Sequence, residues 1–83
     1  MGKDAKNITL YGAGWCAFCH MARRYLDDQG IKYKYVDVDH DQAGAKHIVE
    51  KTGQSGIPVI EIGEQTIIGF DRPKIDAALA GAK

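Results

Sequence analysis

Two kinds of apolar spacing alternate along this 83-residue chain, and the alternation limits what it can fold into. Ile8 to Tyr11 is a short apolar run stopped by Gly12 and Gly14, the pattern of a buried strand. From Cys16 to Gln29 the spacing turns helical. Cys19, Ala22, Leu26 and Gln29 fall on one face, and Gly30 follows as a C-terminal stop. Lys32 to Val38 alternates and reads as a second strand. Asp39-His40-Asp41-Gln42 is rich in helix-start residues. Ala45, Ile48, Val49 and Thr52 then recur at i, i+3, i+4, i+7, and Gly53 ends that helix. Pro58 to Ile62 and Gln65 to Ile68 read as strands joined by a Gly63-Glu64 turn. Asp71 is placed to cap a last helix in which Ile75, Ala78, Leu79 and Ala82 line up.

The order is therefore β-α-β-α-β-β-α, an α/β class. Two strands joined by a crossover helix pair in parallel, and a hairpin pairs antiparallel. The expected product is a four-stranded mixed sheet with helices on both faces. Residues 1–83 are expected to form a single domain, small but able to bury one core. Hydrophobic residues make up 45% and charged residues 27% of the chain, as in soluble globular proteins. Eleven basic and eleven acidic residues cancel, and no charge block points to nucleic acid or an anionic membrane. No apolar run approaches the roughly 18 residues of a spanning helix. The stretch Met1 to Asn7 is polar and lacks an apolar signal region, so the expected compartment is cytoplasmic.

Cys16 and Cys19 sit where the first strand gives way to the first helix. A helix N-terminus carries unpaired N–H groups and partial positive charge, so it stabilises a thiolate. The thiolate is the nucleophile of thiol–disulfide exchange. Only the earlier cysteine can occupy that terminus. Cys16 is therefore expected to be the exposed, low-pKa nucleophile, and Cys19, a turn later on the core side, the buried resolving thiol. Two cysteines three apart close too short a loop to staple a fold. Trp15 and Phe18 read either as ordinary surface aromatics or as an apolar rim for a partner.

The residues Trp15-Cys16-Ala17-Phe18-Cys19, the segment Thr52 to Val59 and Gly69-Phe70-Asp71 resemble the motifs of the glutaredoxin family, the smallest thioredoxin-like fold. The resemblance covers Ile8 to Leu79. It implies a cis Ile57–Pro58 bond facing the cysteines, with the Ile57 backbone free to pair with an extended substrate. It also implies a substrate or glutathione site built from Trp15, Phe18, Ile57, Pro58, Gly69, Phe70, Asp71 and Arg72. Asp71 would sit at a helix start able to bind a carboxylate. Several positions depart from the family pattern. Ala17 and Phe18 replace the usual Pro-Tyr, Ala13 stands where a glutathione-pairing lysine is common, Ile68 replaces a glycine, and Arg72 replaces an aspartate. Lys51 is a candidate substitute for the missing lysine.

Three other chemistries meet the same residues. Cys16 to His20 matches the haem-attachment pattern C-x-x-C-H, but the β-rich spacing and the absence of an export signal oppose it. Zinc ordinarily takes four ligands, and one C-x-x-C pair with His20, His40 and His47 does not supply a second pair at finger spacing. A [2Fe–2S] carrier of glutaredoxin type would have a single active-site cysteine, although Ala17 in place of proline loosens that loop. The expected activity is thus dithiol–disulfide oxidoreduction on protein disulfides or glutathione mixed disulfides, with no metal and no tightly bound cofactor. Glutathione, as co-substrate, or a thioredoxin-type reductase is the expected electron donor. A donor role toward a specific reductase is a further alternative, and the protein is expected to be a monomer.

Overall fold

The computed structural model describes residues 7–54 and 56–80. Seven elements follow the expected order: β1 Ile8–Gly12, α1 Ala17–Asp28, β2 Lys34–Asp37, α2 Gln42–Thr52, β3 Val59–Ile62, β4 Gln65–Ile68 and α3 Arg72–Ala80. The sheet order is β2-β1-β3-β4. β1 runs parallel to β2 with Leu10 opposite Tyr35, and antiparallel to β3 with Leu10 opposite Ile60. β4 returns antiparallel along β3, with Ile67 opposite Ile60. This is the thioredoxin-like architecture, a mixed sheet with helices on both faces.

The strand period of two divides the core. Leu10, Ile60, Ile62 and Ile67 pack against Ala22 and Leu26 of α1 and against Ile75 and Ala78 of α3. Tyr11, Val36 and Val59 point the other way and meet Ile48 of α2. Adjacent residues of one strand thus feed two separate apolar layers.

The caps explain where the helices begin and end. Cys16 is the N-cap of α1, in extended conformation, and Gln29 is its C-cap. The Gly30 N–H donates to Asp27 O at 3.0 Å and the Ile31 N–H to Leu26 O at 3.0 Å, while Gly30 takes φ +72°. These two bonds form a Schellman motif, which needs a left-handed residue. Gln29 therefore leaves the buried face assigned to it and is exposed. Asp41 caps α2 by accepting the Gly44 N–H at 2.9 Å, and Gly53 ends it at φ +79°. Asp71 caps α3 through the Lys74 N–H at 3.3 Å.

Other boundaries shift for identifiable reasons. β3 starts at Val59 rather than Pro58, because proline has no N–H to give the ladder. β2 covers four residues rather than seven, since its ladder with β1 begins at Thr9–Lys34. Val49, expected on the inner face of α2, is 43% exposed. The inner stripe is instead Gly44 and Ile48, four apart. Ala82 lies outside the described residues.

Gly44 is what brings α2 down onto the sheet. A Cβ built there would stand 2.6 Å from Val36 Cγ1. In an exposed helix interior, Gly→Ala gains about 1 kcal/mol. Here Gly44→Ala is expected to lose about 1–3 kcal/mol through overpacking, read as a lower urea midpoint. A higher midpoint would show that α2 can withdraw from β2 without loss.

Candidate active site

β1 delivers the chain to the cysteines. Beyond Gly12, Ala13 is fully buried, Gly14 and Trp15 turn outward, and Cys16 enters α1. The Cys16 N–H donates to Ala13 O at 3.2 Å, and the His20 N–H donates to Cys16 O at 3.2 Å. Cys16 Sγ accepts the Cys19 N–H at 3.1 Å. The two thiols are free and adjacent, and with Ala13 they form a small cluster against which Val38 and Ile57 pack.

One expectation is corrected here. Cys16 is not exposed: its relative accessibility is 7%, against 0% for Cys19. The β2–α2 loop and the residue before Pro58 close around it, and neither is near Cys16 in sequence. The ranking of the two thiols holds, with Cys19 the deeper. Burial pushes the Cys19 thiol up to about 12, and its hydrogen bond to Cys16 acts in the same direction. Cys19 is therefore held protonated.

The loop before Cys16 is tied at two points. His20 Nε2 donates to Gly14 O at 2.7 Å, since a carbonyl can only accept. Trp15 is 72% exposed, yet its Nε1–H donates to Asp39 Oδ2 at 2.7 Å. Asp39 is fixed in turn by its own N–H, which donates to Asp37 Oδ1 at 2.9 Å. His40 lies 3.1 Å from the other Asp37 oxygen and holds that carboxyl below its usual range. The sequence reads Asp39 as a helix-start residue and gives no sign of its bond to Trp15. No spacing signal could reveal that bond, because it spans 24 residues of chain. Phe18 is 61% and Met21 48% exposed, which extends the apolar surface beside Trp15 along α1.

The remaining candidate residues divide into two groups. Ile57 packs against the cysteine cluster, the Ile57–Pro58 bond is cis, and Pro58 is buried. Gly69, at φ +84°, donates its N–H to Pro58 O at 2.7 Å and so joins this side. Phe70 and Arg72 turn elsewhere. Phe70 packs edge-on to Tyr25, with ring centroids 6.0 Å apart, and the Arg72 guanidinium lies 4.7 Å from the centre of the same ring. Tyr25 also donates to Asp76 and is nine residues beyond Cys16, about 13 Å along the helix axis. Asp71 sits at the start of α3, 3.9 Å from Lys74 Nζ. Lys51 lines an open cavity of about 230 Å³ with His47 and Glu50. Among the described residues, no group of three or more His, Cys, Asp or Glu side chains is arranged to hold a metal ion. None of their helices is long and apolar enough to cross a membrane.

A second polar cluster lies on the α2 face. Tyr11 Oη donates to Glu61 Oε1 at 3.1 Å, and His47 Nε2 is 2.7 Å from Glu61 Oε2. Burial, followed by the Glu61 charge, pushes the Tyr11 phenol up to about 12.

The glutaredoxin family model matches residues 8–67. The chain is 32% identical over 69 residues to a glutaredoxin-like 8.6 kDa protein in the rubredoxin operon of Clostridium pasteurianum, covering 83% of this chain and 92% of that one. It is 28% identical over 65 residues to glutaredoxin 3 of Escherichia coli, covering 78% of each. The solved NrdH-redoxin of Escherichia coli superposes with TM-score 0.77 at 25% identity, covering 86% of this chain and 92% of that one. That structure is described as a glutaredoxin-like protein with a thioredoxin-like activity profile.

Two measurements follow from the thiol geometry. Iodoacetamide at pH 8 is expected to label Cys16 and spare Cys19 in the folded reduced protein, as peptide mapping would show. Faster labelling of Cys19 would reverse the ranking. A group raised on folding contributes stability that is intact below its unfolded pKa and is lost as pH rises toward the folded value. The reduced protein should therefore weaken in urea above about pH 9, the ordinary value of Cys19. The oxidised protein, with no Cys19 proton, should lose the corresponding stability only above about pH 10, through Tyr11.

Proposed function

The chain belongs to the glutaredoxin family and is a thiol–disulfide oxidoreductase; on that premise we propose that Cys16 is its nucleophile and Cys19 its resolving thiol. The observation that carries this reading is the contrast within the pair. Cys16 Sγ caps a helix and receives the Cys19 N–H at 3.1 Å, while the Cys19 thiol is sealed and protonated. Donors aimed at a sulfur from a helix N-terminus favour negative charge on it.

The steps balance as follows. Cys16 thiolate attacks one sulfur of a substrate disulfide, forming a mixed disulfide and expelling the other sulfur as thiolate. Cys19 Sγ then attacks Cys16 Sγ, and the substrate's second sulfur leaves and takes up the Cys19 proton. Two electrons pass from the pair to the substrate, and the Cys16–Cys19 bond replaces the substrate's S–S bond. In this reading Ile57, which packs against the pair, offers its backbone to an extended substrate segment. Trp15 and Phe18 supply apolar surface beside it.

Disulfide-containing proteins and glutathione mixed disulfides are the substrate classes. Glutathione is the weaker of the two electron donors. Ala13, at the position of the family lysine, is buried and uncharged. Arg72 is drawn onto Tyr25. The first turn of α3 beside Asp71 remains as a carboxylate site. A missing exposed ion pair is worth about 0–1 kcal/mol, so glutathione binding is weakened rather than lost. The likeness to a redoxin with a thioredoxin-like profile supports a thioredoxin-type reductase as donor.

NADPH consumption tests both parts of this reading. Oxidised protein should turn over with a thioredoxin reductase. With glutathione plus glutathione reductase it should turn over at raised KM. Cys16→Ser should abolish turnover with either donor, and Cys19→Ser should accumulate the substrate mixed disulfide, visible by mass spectrometry. Turnover with glutathione at ordinary KM, and none with any thioredoxin reductase, would overturn the donor assignment.

A further inference from the structure

Gly12 is the last residue of β1, and nothing in its backbone calls for glycine. It is buried, pairs with Asp37, and accepts the Val38 N–H at 2.9 Å. The described glycines with positive φ are Gly30, Gly53, Gly63 and Gly69, and Gly12 is not among them. Glycine in a strand gives up backbone entropy and a packed side chain, and it often marks a close approach. That approach is visible here. A Cβ built at position 12 would stand 3.0 Å from both Cys19 Cβ and Cys19 Sγ, and 3.4 Å from Leu10 Cδ2. These separations to Cys19 are closer than packed carbon and sulfur atoms ordinarily come.

We propose that Gly12 is a positioning residue for the resolving step: the side chain it lacks is the space that Cys19 Sγ occupies in the reduced protein. This rests on Cys16 and Cys19 being the redox pair. Cys19 has no outward freedom. It is fully buried, and Ala13, Val38 and Ile57 close the cluster around the two thiols. The direction left open to its sulfur is toward Cys16, whose Sγ already accepts the Cys19 N–H. Forming the disulfide draws Cys19 Sγ out of the Gly12 slot to a bond of about 2.05 Å with Cys16 Sγ. A methyl group at position 12 therefore crowds the dithiol state and leaves the disulfide state less affected. Gly12 keeps the resolving thiol in place while it waits, and in doing so makes the protein a milder reductant than its fold would otherwise allow.

The test is the equilibrium of Gly12→Ala with dithiothreitol. In that exchange oxidised dithiothreitol takes two electrons and two protons from Cys16 and Cys19, and its S–S bond breaks as theirs forms. Gly12→Ala is expected to shift the equilibrium about tenfold toward the protein disulfide, which is about 30 mV more reducing. A shift below threefold, or one toward the dithiol, overturns the proposal. If the unsubstituted protein forms no Cys16–Cys19 disulfide at any dithiothreitol ratio, the pair itself has been misassigned. That result is distinct from a disulfide that forms and does not respond to Gly12→Ala. Should Gly12→Ala fail to fold when reduced, the same substitution is made in the Cys19→Ala background. With Sγ gone, only the Cβ contact to residue 19 and the 3.4 Å contact to Leu10 remain, and the double variant is expected to fold; a double variant that is also unfolded overturns the proposal.

Discussion

β1 has a strand on each edge and an apolar layer on each face. Thr9 to Gly12 hydrogen-bond to β2 on one side, and Ile8 to Tyr11 to β3 on the other. Leu10 is committed to the α1–α3 layer and Tyr11 to the α2 layer. A one-residue slip would exchange the two and place the Tyr11 hydroxyl, now bonded to Glu61, in a layer lined by Leu26, Ile60 and Ile75. The register of this strand is thereby held by both layers at once. Everything the site needs hangs from its end: Gly12 beside Cys19, the Ala13 carbonyl under the Cys16 N–H, and the turn that starts α1.

The two thiols differ because of what surrounds them rather than because of their spacing. The Cys19 N–H reaches Cys16 Sγ, and the same helical turn carries Cys19 into the apolar floor. No carboxylate is among the groups that shift the Cys19 thiol; burial and Cys16 raise it, and the Ala13 backbone opposes them. Under the proposed roles, transfer of the Cys19 proton is tied to the departing sulfur, and resolution is linked to release of the reduced substrate.

The element order was readable because each segment obeys its own period and carries its own stop. Gly30, Gly53 and Gly63 lie where left-handed turns are required, and all three have positive φ. Asp41 and Asp71 cap the helices that follow them. What resisted reading depends on partners distant in the chain. Val49 fits a helical stripe as well as Ile48 does, and only the close approach of Gly44 to Val36 decides which residue faces inward. Cys16 stands at a helix start, which suggests exposure, until Val38 and Ile57 are packed over it. Arg72 and Phe70 are near the site in sequence pattern, but the aromatic ring of Tyr25 draws both toward the far end of α1. The family resemblance supplied Ile57 and Pro58, which local spacing marks only as a strand start.

Trp15 is the chain's single tryptophan. Its indole stands next to the residue that carries Cys16, faces solvent, and is hydrogen-bonded to one carboxylate, that of Asp39. Tryptophan emission from this protein is therefore the emission of one ring at one place. Indole emission is sensitive to neighbouring sulfur, to the polarity around the ring and to its hydrogen-bond acceptor. Closing the disulfide, covering the rim with a partner and releasing Asp39 each alter a different one of these three. The molecule carries a built-in optical gauge of its own reactive face, readable in solution without any label.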